Sequence, residues 1–231
     1  YVGHRNADER LLERAVLAVA VDGRQVPRGR DDDLVALDLA VDHLLGVVER
    51  AAGGLPEARA LAGEAGRLAE SEEAAALNTI KTIRYIAGIS SNLYISEEYS
   101  QLAQASALVN YVNGKLTHTP ALPASMDQAL AKQGYDGSQH SNISWTSWSE
   151  NSLKWSILTG WMDDSDANNL STLGHRRWIL NPAMSMTGFG SVTGNKGTYQ
   201  AMYVYDRENR DSDYTGVCWP ARNMPTSYFS P

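Results

Sequence analysis

An α+β layered domain is expected for residues 71–231, on three observations. Helical periodicity fills the first part of that region, two tyrosine-rich stretches of strand character follow it, and a glycine-bearing turn joins those stretches. Helices that must each bury one stripe, followed by antiparallel strands that must bury their faces, are satisfied together by stacking in layers.

The elements can be justified in chain order. From Glu72 to Ala87, Ala76, Leu77, Ile80, Ile83 and Ala87 fall at helical spacing, and Gly88 ends the run. Ser96 can cap a second helix whose first turn carries Glu97 and Glu98 against the positive dipole end; its apolar face runs Tyr99, Leu102, Ala103 and Val109, and Asn113-Gly114 stops it. Ser125 is read as the cap of a third helix, Met126 to Lys132, closed by Gly134. A fourth, about Asn151 to Met162, repeats Leu153, Ile157 and Trp161, with Leu158 and Met162, at i, i+4. Thr187 to Val192 and Tyr199 to Asp206 read as strands flanking a Thr193 to Gly197 turn; the second is apolar on both faces, as expected between two layers. Val217 to Trp219, stopped by Pro220, is expected to add a third strand.

Composition bounds the rest. With 231 residues, 43% hydrophobic and 20% charged, the chain is an ordinary globular one. No apolar run reaches the roughly 18 residues of a membrane-spanning helix. Arg5, Arg10 and Arg14 before Ala15 to Val21 imitate a leader, but Asp8, Glu9 and Glu13 spoil its basic region, so no signal peptide is expected. A net charge of −7 without lysine or arginine clusters excludes a nucleic-acid backbone as partner. The single cysteine, Cys218, excludes an internal disulfide and reads as a small buried hydrophobe between Val217 and Trp219.

Residues 1–70 form a distinct segment. They contain no Lys, Ile, Ser, Thr, Phe or Trp, whereas all six tryptophans and ten of the eleven tyrosines lie beyond them. Helical stretches are expected at Glu9 to Val21, Leu34 to Ala52 and Glu57 to Ala69, with Asp31, Asp32 and Asp33 at the second one's N-terminus. The segment is thus either a helical appendage or a non-native stretch from another reading frame, since its narrow vocabulary fits both.

The sharpest motif is Gly174-His175-Arg176-Arg177-Trp178-Ile179-Leu180-Asn181-Pro182. Around it stand, in order, Leu116-Thr117-His118-Thr119 after a helix, Ser141-Asn142-Ile143, a helix bearing Trp161, and Gly188-Phe189-Gly190. The set, over about Glu72 to Phe229, resembles the cysteine-rich secretory protein, antigen 5 and pathogenesis-related (CAP) superfamily, in its bacterial form. That resemblance implies an α-β-α sandwich with a cleft receiving two histidines and two acidic residues. His118 and His175 take the histidine positions, and Asp164, three residues after Trp161, takes the acidic position where many relatives carry Glu. The other acidic position, a Gly-Glu-Asn in many relatives, reads His140-Ser141-Asn142. The resemblance also implies secretion or cell-envelope placement.

The chemistry of that set is mixed. His118, His175 and Asp164 are donors suited to Zn²⁺ or another divalent metal, and no other cofactor is expected. Ser141 removes the carboxylate that would accept a proton from a metal-bound water, and Asp163, Asp166 and Glu150 are the available substitutes. A Ser141, His175 and Asp164 triad lacks the Gly-x-Ser-x-Gly elbow around its serine. His140 can supply a third imidazole or sit on the surface, and His4 and His43 are incidental. Arg176 and Arg177 either bind an anionic group or pair with Asp163 or Asp164. Trp155, Trp161 and Trp178 read as core, Trp145 and Trp148 as exposed. The expected function is a binding module for an unidentified glycan, lipid or peptide at the His118, Ser141, Asp164 and His175 cleft, with no catalytic residue assigned. A metal-dependent, peptidase-like hydrolase is the alternative, and a structural domain with a vestigial site is the third.

Overall fold

The computed structural model describes residues 63, 65–147, 152–209 and 216–221. They fall within one compact unit, Pro56–Pro231. The helices expected at Glu9 to Val21 and Leu34 to Ala52 lie outside the described residues. Of the stretch Glu57 to Ala69, residues 65–69 carry no helix. They lead into the first helix, and Leu68 and Ala65 already pack on the cores below.

Helix α1 spans Glu70–Ile86, with Glu70, Glu72 and Glu73 in its first turn and Arg84 in its last, both placed favourably for the helix dipole. Its apolar stripe, Ala76, Ile80 and Ile83, enters the first core. Arg84 goes in with it at 0% exposure, because four backbone carbonyls receive its guanidinium: Ser90 O at 2.8 Å, Ile179 O at 2.9 Å, Asn181 O at 2.8 Å and Met184 O at 3.1 Å. A charge so buried is tolerable only when its N–H groups are met, and here they fasten the chain that follows the Gly-His motif.

A short strand β1, Tyr94–Ile95, precedes helix α2, Glu97–Asn113. The Ser96 hydroxyl accepts from Tyr99 N at 3.3 Å, and Gly114 closes the helix at φ 62°, both as the sequence indicates. From Ala103 to Tyr111 every residue of α2 is buried, so the helix forms an inner layer with neighbours on both sides.

Helix α3 corrects the expected third helix. It runs Gln128–Gln139, capped by Asp127, whose carboxylate accepts from Ala129 N and Leu130 N, and it passes through Gly134. A Cβ at Gly134 would lie 2.6 Å from Ala105 O, and one at Gly137 2.1 Å from Leu102 O. These glycines serve close approach of two helix backbones, not termination.

Strand β2, Ser141–Thr146, leaves α3 directly. Helix α4, Leu153–Trp155, then widens into a π-helical stretch, Ser156–Trp161, instead of continuing as regular helix to Met162. Trp161 is buried and donates Nε1 to Ile143 O at 3.1 Å, while Trp155, expected in the core, is 42% exposed. The one-turn helix α5, Arg176–Ile179, leads to β3, Met186–Thr187, β4, Phe189–Gly194, and β5, Gly197–Tyr203. The β4–β5 turn is Asn195-Lys196 alone, because Gly194 pairs with Gly197, whose φ is 94°. Residues 216–221 carry no strand. Val217 and Trp219 turn inward against the first core, which leaves Cys218 exposed rather than buried.

The sheet order is β2-β5-β4, antiparallel throughout, with a separate parallel pair β1-β3. Along β5 the side chains divide: Tyr199 joins α2, α3 and Val192, whereas Met202 joins α1, Leu153, Ile157 and Trp161. The sheet is therefore sandwiched, helices above and below, which is the expected α+β layering.

Candidate functional site

His118 lies in the loop after α2, and polar groups of α2 and α3 pin that loop. Asn110 accepts Thr117 N on Oδ1 at 2.7 Å and donates Nδ2 to Ser138 Oγ at 3.0 Å. The His118 ring then places Nδ1 2.7 Å from Ser138 O. A carbonyl only accepts, so Nδ1 carries the hydrogen and Nε2 of the neutral ring keeps its lone pair.

His175 is set from the opposite side. Gly174 leaves room for the Asn169 side chain, whose Oδ1 would lie 1.9 Å from a Cβ there. Asp164, at φ 50°, presents its carboxylate to the start of α5: Oδ2 accepts His175 N and Arg176 N, each at 2.9 Å, and Oδ1 lies 2.8 Å from His175 Nδ1. Its side chain is 0% exposed and that of His175 18%. Again Nδ1 is the donor and Nε2 faces away, the arrangement by which a carboxylate fixes an imidazole's orientation. Left-handed backbone at a non-glycine residue costs about 1–3 kcal/mol, and here the three hydrogen bonds offset it.

Between the two rings lies a polar cavity of about 310 Å³, lined by His118, Ser141, Asn142, His175, Arg177 and Trp178, with Gln139, Asn169 and Tyr205 at its margins. Ser141 is 3% exposed, and its Oγ has no hydrogen-bond partner among the described residues. Asn142 donates Nδ2 to His175 O at 3.1 Å, which ties β2 to the Gly-His turn. His118, Ser141 and His175 thus share one cavity. Asp164 does not line it and stands behind His175 as the residue that holds the ring.

The other candidates separate. His140 turns away, with Nδ1 on Asp136 O at 2.7 Å and its ring edge-on to Tyr205 at 4.9 Å. The Arg176 guanidinium makes no ion pair with a described carboxylate: Nε donates to Met162 O at 2.6 Å and Nη2 to Asp163 O. Arg177 diverges from it to line the cavity, its guanidinium 5.1 Å from the Trp178 ring, and Trp178 meets Tyr205 at 4.6 Å with the rings tilted by 32°. Trp145 is 50% exposed, at the far end of β2, where Nε1 donates to Lys196 O. Glu150 and Trp148 lie outside the described residues. The cavity's aromatic wall carried no sequence signal, because Trp178 and Tyr205 are 27 positions apart and meet only through the sheet.

For cations, Asp164, Asp166 and His175 form a group whose ligand atoms all lie within 4.8 Å of one another, and such a group can hold a metal ion; His118 is not part of it. Asp166 is held below the usual carboxylate range, chiefly by the Asn169 side-chain hydrogen bond and then by the backbone N–H groups of Asn168 and Asn169, with a smaller contribution from His175. Among the described residues, His118 and His175 supply the cavity with two ligands where a catalytic zinc takes three from the protein, and no carboxylate lines it. Ser141 Oγ makes no hydrogen bond to His175, so the hydroxyl–imidazole contact of a nucleophilic triad is not made either.

No described helix is long and apolar enough to cross a membrane. No curated protein matches the chain. Among solved structures it is similar to an outer surface protein from Borrelia burgdorferi, at 15% identity and a TM-score of 0.41, covering 62% of this chain and 98% of that one. Residues 77–206, more than half of the chain, match the family described as CAP, the cysteine-rich secretory protein family, and the chain belongs to that family.

Proposed function

We propose that the chain is an extracellular or cell-envelope binding module whose ligand sits in the cavity between His118 and His175, against Ser141, with Asp164 orienting His175. The observation that supports it is the Ser141 hydroxyl. A buried polar atom without a partner costs about 1–3 kcal/mol, and in a cavity that Ser141 lines together with both imidazoles a ligand can supply the missing bond. A metal-dependent hydrolase is less well supported, because among the described residues the cavity has neither a third metal ligand nor a carboxylate base. The test is turnover of a denatured protein substrate with and without added Zn²⁺. The proposal expects none above background. Hydrolysis that disappears in both His118→Ala and His175→Ala would overturn it.

A second reading, a divalent ion at Asp164, Asp166 and His175, is supported by the proximity of their ligand atoms. Titration calorimetry with Zn²⁺ is expected to show binding that His175→Ala and Asp166→Asn each weaken at least about tenfold, the usual consequence of losing a ligand or its support. Binding untouched by either change contradicts it. Placement outside the cytoplasm is supported by family membership alone.

A further inference from the structure

We propose that the cavity takes an acidic sugar, a saccharide unit bearing one carboxylate, an assignment that rests on the cavity being the ligand seat. Four features of its wall define that chemistry. First, both imidazoles place Nδ1 against acceptors inside the protein, Ser138 O and Asp164 Oδ1, which leaves Nε2 for a ligand, an acceptor whenever the ring is neutral. Acceptors call for hydroxyl donors. Second, Ser141 Oγ, buried and without a partner, can donate or accept and matches a further hydroxyl.

Third, the charge facing the cavity is positive. No described Asp or Glu lines it, Asp164 having turned its oxygens toward the α5 amides and the back of the His175 ring. Arg177 is exposed and makes no ion pair with a described residue; it lines the cavity with its guanidinium over Trp178. One guanidinium forks onto one carboxylate, whereas a phosphate would bring nearly two negative charges. The chain's net charge of −7 does not decide the matter, since at physiological salt exposed charges beyond about 8 Å are largely screened. Fourth, Trp178 and Tyr205, their ring centroids 4.6 Å apart, add an apolar stretch to the wall against which sugar C–H groups can pack. The volume of about 310 Å³ is at the small end of ligand sites, suited to one or two sugar units.

Titration calorimetry of the full chain with D-glucuronate, D-glucose and acetate tests this, with the His118 and His175 ring ¹⁵N signals followed in parallel. Glucuronate is expected to bind at least about tenfold tighter than either partial mimic and to shift both rings. Arg177→Gln, an exposed position, is expected to bring glucuronate down to the glucose level while leaving glucose unchanged. Ser141→Ala is expected to weaken both sugars. Glucose or acetate binding as tightly as glucuronate, or an Arg177→Gln protein that keeps the preference, overturns the acidic-sugar assignment. In those cases ring shifts from any probe leave the cavity standing as a ligand seat. Silence of both rings toward all three probes overturns the assignment and counts against the seat as well.

Discussion

The Ser141 hydroxyl is buried at the price of an unmet hydrogen bond. Replacing it with alanine removes the orphan and little else. Ser141→Ala is therefore expected to raise stability by about 1 kcal/mol in denaturant unfolding, while weakening whatever the cavity binds. A loss of stability would mean that the hydroxyl has a partner in the folded protein. Asp164 is the opposite case. Asp164→Ala strips the acceptor from His175 N, Arg176 N and the His175 ring, and it leaves alanine at φ 50°. A loss of about 3 kcal/mol or more is expected from these terms together, measurable by the same unfolding experiment. The Gly-His pair was legible because both residues are under local constraint: a side chain crowds Gly174, and a carboxylate eleven residues away grips His175.

Helix α2 is held between α3 and the sheet by close backbone approaches, at Gly134 and Gly137 on one side and at Gly190 on the other, where a Cβ would lie 2.4 Å from Gln104 N. Gly134→Ala is expected to cost about 1–3 kcal/mol, although alanine is the better helix former, because the contact is with a carbonyl oxygen that cannot rotate away. Stabilisation on thermal unfolding would contradict that packing. The same contact explains why the extent of α3 is not legible from its own residues. Glycine ends helices and also lets them touch, and only the neighbour decides which. The helix starts at Ser96 and ends at Gly114 were legible because those signals act within one turn. Another link joins α2 to the strand ends. Asp206 accepts Ser185 N at 2.7 Å, Met186 N at 2.9 Å and the Tyr99 hydroxyl at 3.2 Å. Burial first, then the nearby Asp206 charge, push the Tyr99 phenol from 10.0 up to about 12. Its folded value lies above its unfolded one, so its contribution is complete below pH 10 and is lost as pH rises toward about 12. Tyr99→Phe is expected to flatten the fall in stability across that alkaline window, as followed by unfolding at stepped pH.

Across the molecule, the layered fold was legible from periodicities of 3.6 and 2 because helices and strands each bury a face whatever their partners. The cavity was legible only in part. His118, Ser141 and His175 could be named from motif order, but the roles could not. Asp164 acts from behind the ring, Arg176 and Arg177 part company at one turn of helix, and Tyr205 reaches Trp178 only through the sheet. These are consequences of tertiary placement, invisible to spacing. The claim on which the rest depends is that two imidazoles, each locked through Nδ1, turn acceptor Nε2 atoms into one cavity. Long-range ¹H–¹⁵N NMR of the histidine side chains tests it most directly. The expected spectrum of the neutral rings has the hydrogen on Nδ1 in both His118 and His175, with both Nε2 signals moving together on addition of D-glucuronate. A hydrogen on Nε2 in either ring, or Nε2 signals that respond independently, would contradict it.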